Sequence, residues 1–257
     1  MKFSVISVCW NSAETLSTTM QSLQEQGYQD YEWIVVDGAS TDHTMVIVNQ
    51  FKGPLGAVVS EKDTGIYSAM NKGVSLARGE YLYFLNSDDK FSDSSVLADI
   101  ADVLATTPAI DLLYGSVVYQ QPNGRMLRSF EHIDRQTLPY EDLCHQAVFA
   151  RRSLFEEIGG FNERFRTNAD YDWLLRVFNA GKRTRYIDRT VAIFKTGGAH
   201  MQNITVAIAE RSAVRLQYIS MPALWWGDLR RRFRHRLHLL QHGRRPGQAK
   251  LDVDQNI

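Results

Sequence analysis

The strongest chemical signal in this chain is the segment Tyr81-Leu82-Tyr83-Phe84-Leu85-Asn86-Ser87-Asp88-Asp89, a hydrophobic run that ends in a carboxamide and two adjacent carboxylates. Neighbouring carboxylates repel, and holding them at a partly buried strand end is costly unless a cation compensates them. Mg²⁺ and Mn²⁺ prefer oxygen ligands and commonly bridge a protein carboxylate to substrate phosphates. Asp88 is therefore the first candidate metal ligand, with Asp89 a second one or a helix cap. A diphosphate leaving group would gain from that arrangement, because the cation stabilises the charge that develops as the bond to phosphate breaks. An isolated Ser-Asp-Asp also reads as a solvated turn. Its position after a fourth strand, among other polar strand ends, favours the metal reading.

The elements that must position this segment follow from periodicity. Apolar runs alternate with helical patterns: strands over 2–9, 32–36, 56–60 and 80–85, and helices over 13–26, 42–51, 66–77 and 94–106. That order predicts a mainly parallel sheet with helices on both faces. Turn chemistry supports the boundaries, with Asp37-Gly38 closing the second strand, Asp42 as a helix cap and Arg78-Gly79 ending the third helix. Ligands of such sheets bind beyond the carboxyl ends of the strands. The places to search are thus 10–12, 37–42, 61–65 and 86–89. Beyond residue 110 the strands become shorter and less regular, near 112–119, 126–130, 146–150, 184–187 and 191–194, with helices over 153–158 and 169–180.

The bulk numbers bound the reading. With 257 residues and 44% hydrophobic content, the chain can bury one large core and carry an appendage. Cys9 and Cys144 stand far apart without CxxC spacing, which signals neither a disulfide framework nor a zinc site and fits a reducing cytosol. The apolar run from Phe3 to Trp10 lacks a signal-peptide cleavage site, and no stretch is long and apolar enough for a membrane span. The balanced 29 basic and 29 acidic residues hide an asymmetry, since eight Lys/Arg against three Asp/Glu lie from Asp228 onward.

Several ordered motifs together resemble glycosyltransferase family 2, including its bacterial exopolysaccharide-building members. They are Ser4-Val5-Ile6-Ser7-Val8 with Asn11, Trp33-Ile34-Val35-Val36-Asp37-Gly38-Ala39-Ser40-Thr41-Asp42, the run from Ser60 through Asp63, Gly65 and Tyr67 to Gly73, and Phe84 to Asp89. The resemblance covers roughly residues 3 to 200 and implies an inverting enzyme of the GT-A fold, a Rossmann-like α/β architecture. Asn11 falls in its donor-binding region, Asp37 at the nucleobase contact, Asp63 near the nucleoside, and Asp88 at the metal-binding second Asp of its Asp-x-Asp motif. Lys72 or Arg78 is then a candidate phosphate contact. Asn86 replaces an Asp common in relatives and can bond the donor ribose or metal-bound water.

An inverting transfer needs a general base for the acceptor hydroxyl. The segment Thr167-Asn168-Ala169-Asp170-Tyr171-Asp172-Trp173 resembles the family's base segment, which places Asp170 at the base, Asp172 as its rival and Ala169 where Glu is common. Positions i and i+2 do not share a helix face, so only one of the two carboxylates is expected to point inward. His145 and Gln146 are candidate acceptor-site residues, His145 being equally readable as a structural histidine. His200, in Gly197-Gly198-Ala199-His200, is a possible further metal ligand on a glycine loop that can close over the donor.

The tail from Leu224 to Leu240 places Trp226, Leu229, Phe233, Leu237 and Leu240 at helical spacing among arginines, seven of them by Arg245. Such a helix suits an anionic membrane surface, at about 1 kcal/mol per basic residue, or packs on the domain with its arginines in solvent. Nucleic acid is not expected, because no recognition fold accompanies the basic stretch.

These observations predict a GT-A domain over 1–202, with a nucleotide-sugar-binding half to residue 110 and an acceptor half after it. A basic amphipathic helical tail over 203–245 and a mobile polar end over 246–257 follow. The expected activity is transfer of a sugar from a nucleotide diphosphate donor, UDP preferred, to a saccharide acceptor, lipid-linked and at the inner face of the cell membrane, with Mg²⁺ or Mn²⁺. A nucleotidyltransferase would use similar carboxylates, but the segment Val8–Ser12 lacks its basic glycine-rich phosphate loop. A non-catalytic sugar-binding protein would not need both Asp88 and Asp170.

Overall fold

A computed structural model describes residues 1–107, 109–121, 124–195 and 204–221, together with the backbone of 248–250. The element order is β1 (Phe3–Cys9), α1 (Leu16–Gln24), β2 (Tyr31–Asp37), α2 (Thr44–Val48), β3 (Leu55–Ser60), α3 (Ile66–Leu76), β4 (Tyr81–Phe84), β5 (Lys90–Phe91), α4 (Val96–Thr106), β6 (Leu112–Gln121), β7 (Gly124–Arg128), β8 (Val148–Arg151), α5 (Ser153–Glu157), α6 (Ala169–Asn179), β9 (Thr184–Lys195), α7 (Ile204–Arg215) and β10 (Gln248–Lys250).

The strands join in one mixed sheet in the order β10-β7-β6-β8-β4-β1-β2-β3, with β9 paired to β5 and β6. β3, β2, β1 and β4 are mutually parallel, as the βα rhythm predicts. β8, β6 and β7 continue the sheet antiparallel. Every residue of β1, β2 and β4 is buried, the near-continuous apolar pattern expected of parallel strands covered on both faces. Helices seat on the sheet through residues at three- and four-residue spacing, Leu16, Thr19 and Leu23 in α1 and Val96, Ile100 and Leu104 in α4. Gly73 of α3 has a positional reason: a Cβ there would lie 2.5 Å from the Ile6 side chain, so only glycine lets this helix approach β1 so closely.

Register fixes the site. Cys9, Asp37 and Ser60 stand side by side at the carboxyl ends of β1, β2 and β3, and Ile6 pairs with Phe84 so that 86–89 emerges next to them. Three details differ from the sequence expectation. The two strands near 184–187 and 191–194 are one strand, β9, whose irregular register opposite Tyr114–Val117 breaks the hydrophobic alternation that marks a strand in sequence. Residues His145–Ala147 form a 3₁₀ turn before β8 rather than its first residues. The two-residue strand β5 was not anticipated, because so short a pairing with Ile193 and Ala192 leaves no periodic signal.

Candidate active site

At the ends of β1–β3, Asp37 is fully buried and organises the turn that follows it. Its Oδ2 accepts from the Ser40 amide at 2.9 Å and the Ser60 hydroxyl at 2.6 Å, and its Oδ1 from the Ser40 hydroxyl. The turn places Ala39 at φ 61°, and Asn11 opposite it is also left-handed, at φ 49°. Such conformations in non-glycine residues concentrate where surrounding bonds over-determine the backbone. Here they do: the Asn11 amide donates to Ser40 Oγ at 2.7 Å and its Oδ1 accepts from the Thr41 amide at 2.9 Å. Asp63 accepts from the Gly65 amide at 2.9 Å and reaches over Gly38, where a Cβ would lie 2.9 Å from its Oδ2. Trp10 closes the same corner against Gly38 and is 68% exposed, an aromatic face standing open among polar strand ends.

The strand end 86–89 is stitched to both neighbours. Ser87 donates to Ser12 at 2.9 Å, and Thr19 donates to the Asp89 carbonyl at 2.6 Å. Asp89 is buried, its Oδ2 accepting from Gln146 Nε2 at 2.9 Å. Burial first, and then the charge of Asp88, push its carboxyl up to about 7. Burial likewise raises the Asp88 carboxyl, against the opposing pull of Lys195 and His145. Asn86 Oδ1 and Asp89 Oδ1 are the two buried side-chain polar atoms without a hydrogen-bond partner among the described residues. Unsatisfied buried acceptors are rare and call for an explanation such as an ion, and two beside a pair of reluctant carboxylates suit a hard divalent cation. Among the described residues no three His, Cys, Asp or Glu side chains converge as a cage.

The segment after residue 110 brings Asp170 to this strand end. Asp170 sits in the first turn of α6, its Oδ1 accepting from the Tyr67 hydroxyl of α3 at 2.8 Å and from the Tyr171 amide at 2.9 Å. Its Oδ2 lies 2.8 Å from His145 Nδ1, and His145 Nε2 lies 3.2 Å from Asn86 Nδ2. A continuous chain Tyr67–Asp170–His145–Asn86 therefore links α3, the first turn of α6 and the strand end. Burial opposes the Asp170 charge, but the His145 and Tyr67 bonds outweigh it and hold the carboxyl below its usual range. Burial also opposes charge on His145, where the Asp170 bond and charge, helped by Asp89 and Asp88, prevail and raise its pKa. Behind them Phe84, Phe155, Phe161 and Trp173 pack as an aromatic cluster, with Phe155 stacked on Trp173 at 4.3 Å. The Asn71 carboxamide pins Phe161 through both of its backbone polar groups.

Other candidates fall elsewhere. Asp172 is buried and bonds Arg176 at 3.0 Å, and the same guanidinium clamps the carbonyls of Ile158 and Gly160, so its carboxylate serves a structural ion pair. Gln146 does not face an acceptor: it is 2% exposed, and its amide is committed to Asp89 and Cys144. Arg78 pairs with Glu32 near the amino end of β2, away from the strand ends where phosphate would lie, and Lys72 pairs with Glu61. His200, residues 222–245 and the side chains of the final stretch lie outside the described residues. Sequence reasoning passed over Tyr67 as a partner of Asp170, since a buried tyrosine hydroxyl has no signature in one dimension. It also passed over Lys195, at the end of β9, whose charge acts on Asp88.

The chain resembles known proteins in both sequence and fold. The sequence profile described as "Glycosyl transferase family 2" matches residues 4–159. A "PGL/p-HBAD biosynthesis glycosyltransferase" of Mycobacterium tuberculosis is 39% identical over 200 residues, 76% of this chain and 77% of that protein. The glycosyltransferase AglE of Haloferax volcanii is 26% identical over 189 residues, 69% of this chain and 62% of that one. Among solved structures, S. aureus TarS 1-349 in complex with UDP-GlcNAc superposes with TM-score 0.69 at 21% identity, covering 93% of this chain and 73% of that one. This chain spans only 42% of the longer TarS structure. The mannosyltransferase PcManGT of Pyrobaculum calidifontis, in complex with GDP-Man and Mn²⁺, gives TM-score 0.65 at 22% identity over 87% of this chain and 66% of that one. The fold is therefore the GT-A glycosyltransferase fold. With the profile spanning residues 4–159, more than half of the chain, and a relative 39% identical over 76% of it, the chain belongs to glycosyl transferase family 2.

Proposed function

We propose that this chain transfers a sugar from a nucleotide diphosphate donor, uridine preferred, to a hydroxyl of a lipid-linked saccharide by one inverting displacement assisted by Mg²⁺ or Mn²⁺. The observation that carries the reading is the Tyr67–Asp170–His145–Asn86 chain, which ties a carboxylate of depressed pKa to the strand end bearing Asp88 and Asp89. The TarS complex with UDP-GlcNAc and the PcManGT complex with GDP-Man and Mn²⁺ support a nucleotide-sugar donor and a divalent ion.

Asp88 would hold the ion, with the orphaned Asn86 and Asp89 oxygens as further donors, and a bound ion would neutralise the diphosphate as it departs. Trp10 offers its exposed face to the nucleobase, and Asp63 and the Asn11–Ser40 turn line the same corner. Asp170 keeps 20% of its side chain exposed, so an acceptor hydroxyl can reach it. It takes the hydroxyl proton as the new bond from acceptor oxygen to anomeric carbon forms and the bond from that carbon to the phosphate oxygen breaks. Tyr67 and His145 hold the carboxylate in place for that transfer.

Screening UDP-, GDP- and dTDP-sugars for EDTA-sensitive thermal stabilisation identifies the donor. The absence of a metal-dependent shift with any of them counts against the assignment. Asp170→Asn is expected to abolish transfer while donor binding persists; normal turnover would place the base elsewhere.

A further inference from the structure

Three residues before His145, Asp142 carries a carboxylate that takes no part in the displacement itself. Its side chain is 48% exposed, against 19% for His145 and 20% for Asp170. Its Oδ1 accepts from Arg211 Nη1 at 3.1 Å, and its Oδ2 accepts from none of the described residues. Two separate routes lead from this carboxylate to Asp170. Along the chain, Asp142 runs into His145, whose Nδ1 lies 2.8 Å from Asp170 Oδ2. Across the fold, the guanidinium that binds Asp142 lies 4.1 Å over the ring of Tyr171, the residue next to Asp170. Burial opposes charge on Asp142, but the Arg211 and Arg128 cations outweigh it and hold the carboxyl below its usual range, against a push from the Asp170 charge.

The backbone leading to Asp142 is clamped at successive carbonyls. The Tyr171 hydroxyl donates to Leu138 at 3.0 Å, Arg215 to Pro139 at 2.6 Å and Arg211 Nη2 to Glu141 at 2.6 Å. Helix α7, which supplies both arginines, also grips the turn that leads into Asp170: Glu210 accepts from the amides of Arg166 and Thr167 at 2.7 and 2.9 Å and from the Thr167 hydroxyl at 2.8 Å. One helix thus holds the segments bearing Asp142 and Asp170 in a fixed relation. A half-exposed ion pair adds little to stability, whereas a group that must meet a ligand gains from being fixed in advance.

An ionised carboxylate with one oxygen committed and the other open can only accept, and it repels phosphates and other carboxylates. Its ligand is therefore a neutral donor. Sugar hydroxyls are such donors, and a hydrogen bond to an ionised oxygen is about twice as strong as one between neutral groups. We propose that Asp142, held by Arg211, accepts a hydrogen bond from a second hydroxyl of the acceptor saccharide and so selects which hydroxyl is presented to Asp170. The selection rests on Asp170 being the base; the capture of a saccharide hydroxyl by Asp142 does not.

The test uses the full chain, alone and with UDP and Mn²⁺. Methyl glycosides of glucose, galactose, mannose, fucose and rhamnose are titrated by ligand-observed NMR. Wild type should bind at least one of them, and one deoxy analogue of that sugar should bind about tenfold more weakly. Asp142→Asn keeps an oxygen for Arg211 and replaces the open oxygen by an amide donor. It should weaken the parent sugar by the same factor of about ten and leave the deoxy analogue unaffected, so the two losses do not add. A structural ion pair alone would lower the thermal midpoint and leave the discrimination between the two sugars intact. Losses that add, parent-sugar affinity equal to wild type in Asp142→Asn, or no binding of any glycoside under either condition would each overturn the proposal. Neither readout needs turnover, so failure here is told apart from failure of the donor screen or of Asp170→Asn.

Discussion

Replacing Tyr67 by Phe removes one atom from the site and tests the Asp170 assignment directly. The hydroxyl donates to Asp170 Oδ1 at 2.8 Å in a buried setting, and the ring stays packed against Phe161 at 5.7 Å when the oxygen is lost. A hydrogen bond to a charged group contributes about 1.5–3 kcal/mol, and one pKa unit corresponds to about 1.36 kcal/mol. The Asp170 carboxyl should therefore rise by roughly one to two units on that scale. The sign follows from the role. A general base works deprotonated, so activity climbs as pH rises through its pKa, and raising that pKa moves the acidic limb of the kcat/KM profile to higher pH by about the same one to two units. Between the two limbs the variant loses close to tenfold per pH unit relative to wild type and below both the deficit levels off at about ten- to a hundredfold, whereas well above the shifted limb the loss is only that of orientation. Stability moves in parallel. A carboxyl depressed in the folded state stabilises the fold above its unfolded pKa and loses that contribution as pH falls through the folded one, so Tyr67→Phe should cost more at pH 7 than at pH 3. Nucleotide release measured from pH 3 to 8.5 with the donor found by screening reads both limbs, the wild-type one lying below the usual carboxylate range. An unmoved limb, in a protein whose Asp170→Asn variant is dead, would refute the idea that Tyr67 sets this carboxylate.

Three further outcomes are expected. Stabilisation by Mn²⁺ or Mg²⁺ with the donor nucleotide should be larger at pH 8 than at pH 6, because Asp89, pushed up to about 7, binds a proton in place of the ion below that value, and Asp88→Asn should remove the metal-dependent part altogether; differential scanning fluorimetry at the two pH values decides it. Trp10→Ala should weaken nucleotide binding by about 1–3 kcal/mol, the range for an aromatic face against a base, while leaving the nucleotide-free thermal midpoint unchanged because the ring is exposed; titration calorimetry with UDP measures the loss. Asp172→Asn should lower stability by about 1–3 kcal/mol through the unpaired Arg176, and retain most of the kcat that Asp170→Asn abolishes; a denaturant midpoint beside a kcat separates the two effects.

Much of this molecule is written in one dimension, because local periodicity and turn chemistry decide it. The buried runs of β1, β2 and β4, the three- and four-residue spacing of α1 and α4, and the polar residues left where each parallel strand stops suffice to place a ligand site at 10–12, 37–42, 61–65 and 86–89. The resemblance to family 2 likewise rests on contiguous motifs. Contacts between distant segments have no such signature. Tyr67 and Asp170 stand 103 residues apart and His145 and Asn86 59 apart, so only the 3₁₀ turn leading into β8 and the hydrogen bond from α3 to the first turn of α6 bring them together. Side-chain direction was equally hidden. In sequence Asp170 and Asp172 are two carboxylates on one helical turn, and Gln146 is a polar residue beside a histidine; packing turns Asp172 to Arg176 and buries Gln146 against Asp89. The charged residues of α7 show the same limit, since a periodic pattern marks one face as different without stating which face the protein covers. Sequence determined which groups this protein carries and which strand ends display them, because spacing along the backbone sets both. Tertiary structure alone decided which groups meet, because burial and hydrogen bonding choose a partner only once the chain has closed on itself.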